Sequence, residues 1–340
     1  MSGGAGADTG AAGPSGDDAP AIRVLNLVTT PRSFYRKQEA ALDAAGIEYT
    51  TLEVPGEHRN LDDRVEERTP KHYAQFLPQV LSEAWRGDYD LVHANFGLTA
   101  PFALAQLRLP VVVSLWGGEF RENPFTPLIE AATARADEVI VPSRMMRRFV
   151  DRETHLIPYP IDTEQFQPMD RREARERLGW DPDETVVFFP AAPGREEKDF
   201  PLAERVVDGI DSDVRLHTAG SIPYDEMPLV MNASNAVLCT SKRETGPMIV
   251  KEAAACNVPV VSRPVGFVPE VLDGVTNSYV ADDEDGLREG LRAVLDDDGR
   301  ADGRGPIASY GTAEMGEALR QVYERVLPEE KRRPEPAIRF

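Results

Sequence analysis

Apolar and polar positions along the chain run through one programme twice. Short apolar runs at 22–28, 47–54, 89–93, 111–115 and 138–141 read as buried strands. Between them, apolar residues recur at helical spacing over 34–45, 70–86, 98–107 and 127–134, and Pro142-Ser143 opens a further helix. A proline-dense segment at 156–168 reads as a boundary. Beyond it, strand-like runs return at 185–190, 213–219, 236–239 and 258–261, with helical stretches at 224–234, 248–256, 285–295 and 312–326. Strands alternating with helices predict parallel sheets, hence two doubly wound α/β domains. The 340 residues suffice for a first domain over 21–165, a second over 166–310, a last helix over 311–327 and a tail over 328–340, loose from 331 onward. Residues 1–20, mostly Gly, Ala, Ser and Asp, bury too little apolar surface to order themselves.

The stretch from Ala236 to Val280 carries the most chemistry. A buried strand leads into a polar turn with Glu244, then Gly246 and Pro247, which suits the first turn of a helix because its missing N–H is no loss there. The helix from Met248 carries Glu252 among Ile, Val and Ala and stops at Asn257-Val258-Pro259. Eight helical steps would put the backbones of Glu244 and Glu252 about 12 Å apart. Two carboxylates acting on one glycosidic bond want about 5–9.5 Å. The spacing suits two grips on an extended ligand, since a carboxylate accepts two hydroxyl hydrogen bonds. Between them lies a helix N-terminus, which attracts phosphate. A ligand built as hydroxyls, phosphates and hydroxyls is a nucleotide sugar. On spacing alone, two solvated helix charges are the simpler alternative.

Composition narrows the partners. Lys plus Arg number 38 and Asp plus Glu 58, a net charge of −20, which disfavours nucleic acid. Such acidity fits a halophilic source, because molar salt cuts the screening length to about 3 Å; an acidic mesophilic protein is the alternative. Cys239 and Cys256, in small apolar surroundings, read as reduced core residues of a cytoplasmic protein. There is no signal peptide, no apolar run near the about 20 residues that span a bilayer, and no CxxC or HExxH. Peripheral membrane contact stays open. The first strand is not followed by GxGxxG, which argues against a dinucleotide-dependent dehydrogenase. Arg32, Ser33 and Arg36 follow that strand, at the edge that faces ligands in open α/β sheets, where an arginine either holds an anion or is merely surface.

The run Glu244-Thr-Gly-Pro-Met-Ile-Val-Lys-Glu252 resembles the E-x7-E signature of glycosyltransferase family 4, the retaining enzymes of GT-B fold. Glu252-Ala-Ala-Ala-Cys-Asn-Val-Pro-Val-Val continues it, with Asn257 in place of the family's usual glycine; Pro269-Glu270-Val-Leu-Asp-Gly274 follows, with Asn277 replacing another. In the first half, Trp116-Gly117-Gly118-Glu119 resembles the family's H-G-x-D, with Trp116 where His is usual. Indole donates a hydrogen bond but cannot accept a proton, so no side-chain base stands there. Asp90, His93 and Asn95 resemble a strand-end D-x-x-H-x-H, with Asn95 for the second His. His93 reads either as a cleft residue or as a structural one.

The resemblance implies two Rossmann-like domains facing across a cleft, the last helix crossing back to the first. It implies transfer of a sugar from a nucleotide diphosphate sugar to an acceptor hydroxyl, with retention and without a metal or added cofactor. Glu244 would contact the transferred sugar, Glu252 the nucleotide ribose, and Lys198 and Arg195 the diphosphate, with N–H groups near Gly246, Pro247 and Met248 assisting. Gly118 and Gly266, with Phe267, would line the donor pocket. The acceptor would be a glycan or lipid-linked hydroxyl. The rival readings are a nucleotide-sugar epimerase of the same fold and a non-catalytic binding protein, which the departures at Trp116, Asn95 and Asn257 keep open.

Overall fold

The computed structural model describes residues 21–31, 33–56, 68–117, 124–210, 213–220 and 222–333. The expected disorder of 1–20, residues 57–67, the Arg32 position, and Gly118 with Glu119 lie outside the described residues. In the first half, β1 (Arg23–Val28), β2 (Glu48–Glu53), β3 (Leu91–Ala94), β4 (Val111–Ser114), β5 (Glu138–Val141) and β6 (His155–Leu156) alternate with α1 (Ser33–Ala44), α2 (Pro70–Arg86), α3 (Ala100–Ala105) and α4 (Thr126–Thr133). They form a six-stranded sheet in the order β2-β1-β3-β4-β5-β6, parallel throughout. β3 and β4 are buried along their whole length, as continuous apolar strands covered on both faces must be.

The second half holds α5 (Arg171–Leu178), β7 (Thr185–Phe189), α6 (Phe200–Asp208), β8 (Val214–Thr218), α7 (Met227–Ala233), β9 (Ala236–Cys239), α8 (Met248–Ala255), β10 (Val260–Ser262), α9 (Val268–Leu272), β11 (Tyr279–Val280), α10 (Glu284–Asp297), α11 (Arg304–Ile307) and α12 (Thr312–Val326). Its sheet is parallel, in the order β11-β10-β9-β7-β8. α5 was not among the expected helices, although its signals are present. Asp170 caps it by accepting from the Glu173 N–H at 3.0 Å, and Gly179 ends it at φ +68°. The helix expected after Ser143 is a 3-10 turn over Arg144–Phe149.

α12 returns to the first domain. Met315, Leu319, Val322 and Tyr323 share one apolar cluster with Ile22, Val24, Leu42 and Leu91. Gly316 permits the close approach to α1, since a Cβ there would sit 2.2 Å from the Ala41 carbonyl oxygen. The tail expected beyond this helix is tied down as far as Arg333, which pairs with Glu317 and Glu324, while Lys331 pairs with Asp90. Two basic residues and their three acidic partners, not apolar burial, hold that segment, so hydrophobic patterning did not reveal it. The chain thus crosses between halves twice, and the Ile161 N–H donates to the Tyr310 carbonyl at 2.9 Å, tying the crossings together.

Candidate active site

The two halves meet on an apolar seam. Trp116 and Tyr159 stack with ring centroids 5.0 Å apart and planes 7° from parallel. Phe34, from the first turn of α1, lies 4.1 Å from the Trp116 ring. The same cluster runs on into Phe267, Val250 and Val268 of the second half. Gly117 is at φ +93°, and a Cβ there would fall 1.8 Å from the Thr245 methyl, so the loop after β4 touches the signature turn directly. The Arg144 N–H donates across the seam to Glu270 at 3.1 Å.

The signature turn sits at the carboxyl end of β9, the edge where open α/β sheets bind ligands. Gly246 is closed over by Phe267, whose ring a Cβ would meet at 2.2 Å. Gly266, at φ +59°, packs so close to the signature turn that a Cβ would lie 2.8 Å from the backbone of Thr245 and Gly246, a conformation and an approach that only glycine allows without strain. Pro247 caps α8 from outside, so the free N–H groups of the helix begin at Met248. The path from Glu244 to Glu252 is therefore helical only from Met248 onward, not over the whole eight steps assumed from spacing.

Lys198 and Glu244 form an ion pair, both mostly buried. Ser241 Oγ donates to the same carboxylate at 3.1 Å, and the Lys198 carbonyl accepts from Thr240 Oγ1 at 2.9 Å. The loop after β7 and the turn after β9 are thereby locked together. Arg195 belongs to the same loop but is exposed and paired with Glu197 at 2.6 Å, away from Glu244. Arg36 is likewise exposed, on Glu39 at 2.7 Å. Glu252 is buried, 4% exposed, and accepts from the Tyr224 hydroxyl at 2.7 Å. Burial pushes its carboxyl above the ordinary value, with the Tyr224 hydrogen bond and Lys37 pulling the other way.

Three polar residues of this region were not singled out from sequence. Lys37 of α1 reaches across the seam to the Tyr224 hydroxyl at 3.4 Å. Tyr224 sits in the 3-10 turn before α7. Lys251 is fully buried: its Nζ donates to the Tyr159 carbonyl at 2.7 Å and lies 4.3 and 4.2 Å from the ring centres of Phe267 and Tyr310. Burial, with Lys37 nearby, pushes that ammonium well below the ordinary lysine value, while the two ring faces favour its charge. A lysine beside Glu252 in the otherwise apolar Met248–Ala255 helix was the one available signal for it.

His93 is a structural residue. It is fully buried, with Nδ1 2.7 Å from the Tyr323 hydroxyl and Nε2 2.7 Å from Ser114 Oγ, and so joins α12 to the first sheet. Asn95 is also structural, donating to Asn26 at 2.9 Å and accepting from Gln38. Asn257 and Asn277, standing where glycine was expected, both adopt φ +53°, the left-handed region that asparagine tolerates best after glycine. Asn257 Oδ1 also accepts from the Arg304 N–H at 2.8 Å.

Two parallel-sheet domains closing over such a seam, with the last helix returned to the first domain, define the GT-B fold. The chain matches the family model described as Glycosyl transferases group 1 over residues 209–308, and Glycosyltransferase Family 4 over 39–165. It is 25% identical over 335 residues to D-inositol 3-phosphate glycosyltransferase 1 of Catenulispora acidiphila, covering 76% of this chain and 79% of that one. It is 28% identical over 261 residues to the D-inositol 3-phosphate glycosyltransferase of Mycobacterium avium, 62% of each chain. Among solved structures, sucrose-phosphate synthase from Thermosynechococcus elongatus superposes with a TM-score of 0.70 at 18% identity, over 89% of this chain and 98% of that one. Anabaena HepE in complex with UDP gives 0.69 at 15%, over 90% and 100%. The protein belongs to the group 1 glycosyltransferases and is a sugar-transferring enzyme, the reading these matches support over an epimerase or a binding protein.

Proposed function

We propose that the cleft binds a nucleotide diphosphate sugar and passes its sugar, with retention, to a hydroxyl of a phosphorylated polyol or sugar. The observation that carries this reading is Glu252, a carboxylate buried at the ligand edge of the second sheet with its charge disfavoured there. A ribose diol would supply the two donors such a group needs. Lys198 and Arg195 face the diphosphate in this reading, Glu244 the transferred sugar, and the N–H groups of Gly246 and Met248 the phosphates. UDP-glucose is the first donor to test, since HepE, a fold neighbour, has a structure with it bound. The acceptor class follows the printed names of the curated relatives.

The bond from the anomeric carbon to the diphosphate oxygen breaks, and one to the acceptor oxygen forms on the same face. The acceptor proton goes to the departing phosphate, a route that needs no base at Trp116. Charge grows on the leaving diphosphate, and preorganised cations lower its energy without a metal ion. Closure of the seam would keep water from the reacting sugar.

A lipid-linked acceptor is a second reading. It is favoured by Phe125, Leu128 and Phe149, large apolar side chains exposed on the first domain, with Arg144, Arg147 and Arg148 exposed beside Phe149. Peripheral membrane contact belongs to that reading; no helix among the described residues is long and apolar enough to cross a membrane. A cytoplasmic site is part of the proposal, supported by two buried free cysteines. A halophilic source is supported by the net charge of −20. The deciding experiment is donor binding and turnover in high salt with UDP-glucose and other nucleotide sugars. Binding lost in Glu252→Gln supports the donor site. Unchanged affinity in that variant would sink the assignment of Glu252.

A further inference from the structure

Tyr224 stands between the two halves. Its hydroxyl donates to Glu252 Oε1 at 2.7 Å and accepts from Lys37 Nζ at 3.4 Å. The same Lys37 ammonium lies 5.8 Å from the centre of the Tyr224 ring, and Phe166 meets that ring edge-on at 5.8 Å. A line of polar contacts thus runs from α1 of the first domain, through one phenol, to the buried carboxylate of the second. Yet Tyr224 itself is 48% exposed, in a short 3-10 turn, so little packing opposes its moving aside.

We propose that Tyr224 is a displaceable cap on Glu252, holding the carboxylate until the donor arrives and setting the affinity for the donor nucleotide. The proposal rests on Glu252 as the ribose-binding carboxylate. A ribose diol that bonds to both carboxylate oxygens competes with the phenol for Oε1. The phenol moves aside as the second hydroxyl takes its place. Its departure also breaks the Lys37 contact, so nucleotide binding loosens one tie between the domains. The cap has a use: a buried carboxylate with no hydrogen-bond donor is costly, and a phenol supplies one until the ligand does.

The test is calorimetric binding of UDP, GDP, ADP and dTDP to the full chain and to Tyr224→Phe, Glu252→Gln and the double variant. Tyr224→Phe keeps the ring and removes only the hydroxyl. It is expected to bind the preferred diphosphate about tenfold tighter, the scale of one exchanged charge-assisted hydrogen bond. In the Glu252→Gln background the same change should give little or no gain, because the two residues act as a pair. Unchanged or weaker binding in Tyr224→Phe, with Glu252→Gln weakened, overturns the cap and leaves the donor site standing. Glu252→Gln binding as tightly as the parent, or no diphosphate binding to any variant, overturns the ribose assignment and the cap with it.

Discussion

The asparagine at 257 gives a quantitative test of whether departures from the family pattern are losses or adjustments. Asn257 ends α8 at φ +53°, where a Cβ strains the backbone. Replacing it by Ala keeps the Cβ but loses the local side-chain hydrogen bonding that eases asparagine into this region, a penalty of about 1 kcal/mol. Ala also deletes the acceptor for the Arg304 N–H, now at 2.8 Å, at the start of α11, worth about 1 kcal/mol more. Asn257→Ala should therefore cost about 2 kcal/mol. Asn257→Gly restores the family residue. It relieves the strain but still loses the cap and frees the unfolded chain, for a net cost of about 1 kcal/mol. At about 2–4 °C per kcal/mol for a unit of this size, the thermal midpoint of the ligand-free protein should fall by about 4–8 °C for Ala and about half that for Gly. Scanning calorimetry in constant high salt reads both. An Ala variant within about 1–2 °C of the parent, or a Gly variant less stable than the Ala one, would refute the reasoning.

Three further outcomes are expected. Gly246→Ala puts a methyl 2.2 Å from the buried Phe267 ring, which rests against Lys251 and cannot retreat; a destabilisation of about 1–3 kcal/mol should appear as a lower urea midpoint, with weaker nucleotide binding. Lys198→Ala should lower kcat for sugar transfer by about 10²–10³-fold, and a rate near that of the parent would remove Lys198 from the reaction. Burial holds His93 neutral, its pKa pushed down to about 3, so the unfolded chain takes up that proton first as the pH falls. Stability from this group is intact above the ordinary value of 6.5 and is lost as pH falls from 6.5 towards 3, at up to about 1.4 kcal/mol per unit. His93→Gln should flatten the acid limb of the stability profile, and an unchanged slope between those values would show that other groups set it.

Much of the fold was legible because strand and helix periods are local properties. The limits of β9 and α12 follow the apolar spacing almost residue for residue, since each buries a continuous face. The Glu244–Glu252 run was legible as a strand-turn-helix unit from Gly246 and Pro247, and as a donor signature only through its resemblance to the family. Spacing failed where the path between residues was not helical, as in the turn before Met248. It also failed where chemistry comes from opposite halves of the chain. Nothing near Tyr224 in sequence marks it as the partner of Glu252, and nothing near Lys37 marks it as facing Tyr224, 187 positions away.

The sequence by itself determined two α/β halves, a strand-turn-helix unit carrying paired glutamates, and the family. These depend on short-range patterning and on backbone positions that admit few residue types. Only the tertiary structure decided which polar side chains are partners. It made His93 a tie to the last helix, buried Lys251 between two rings and set Tyr224 on Glu252. The physical reason is that burial and pairing are properties of surfaces brought together across the seam. The free energy of a charged group is fixed by what surrounds it in space, not by its neighbours along the chain.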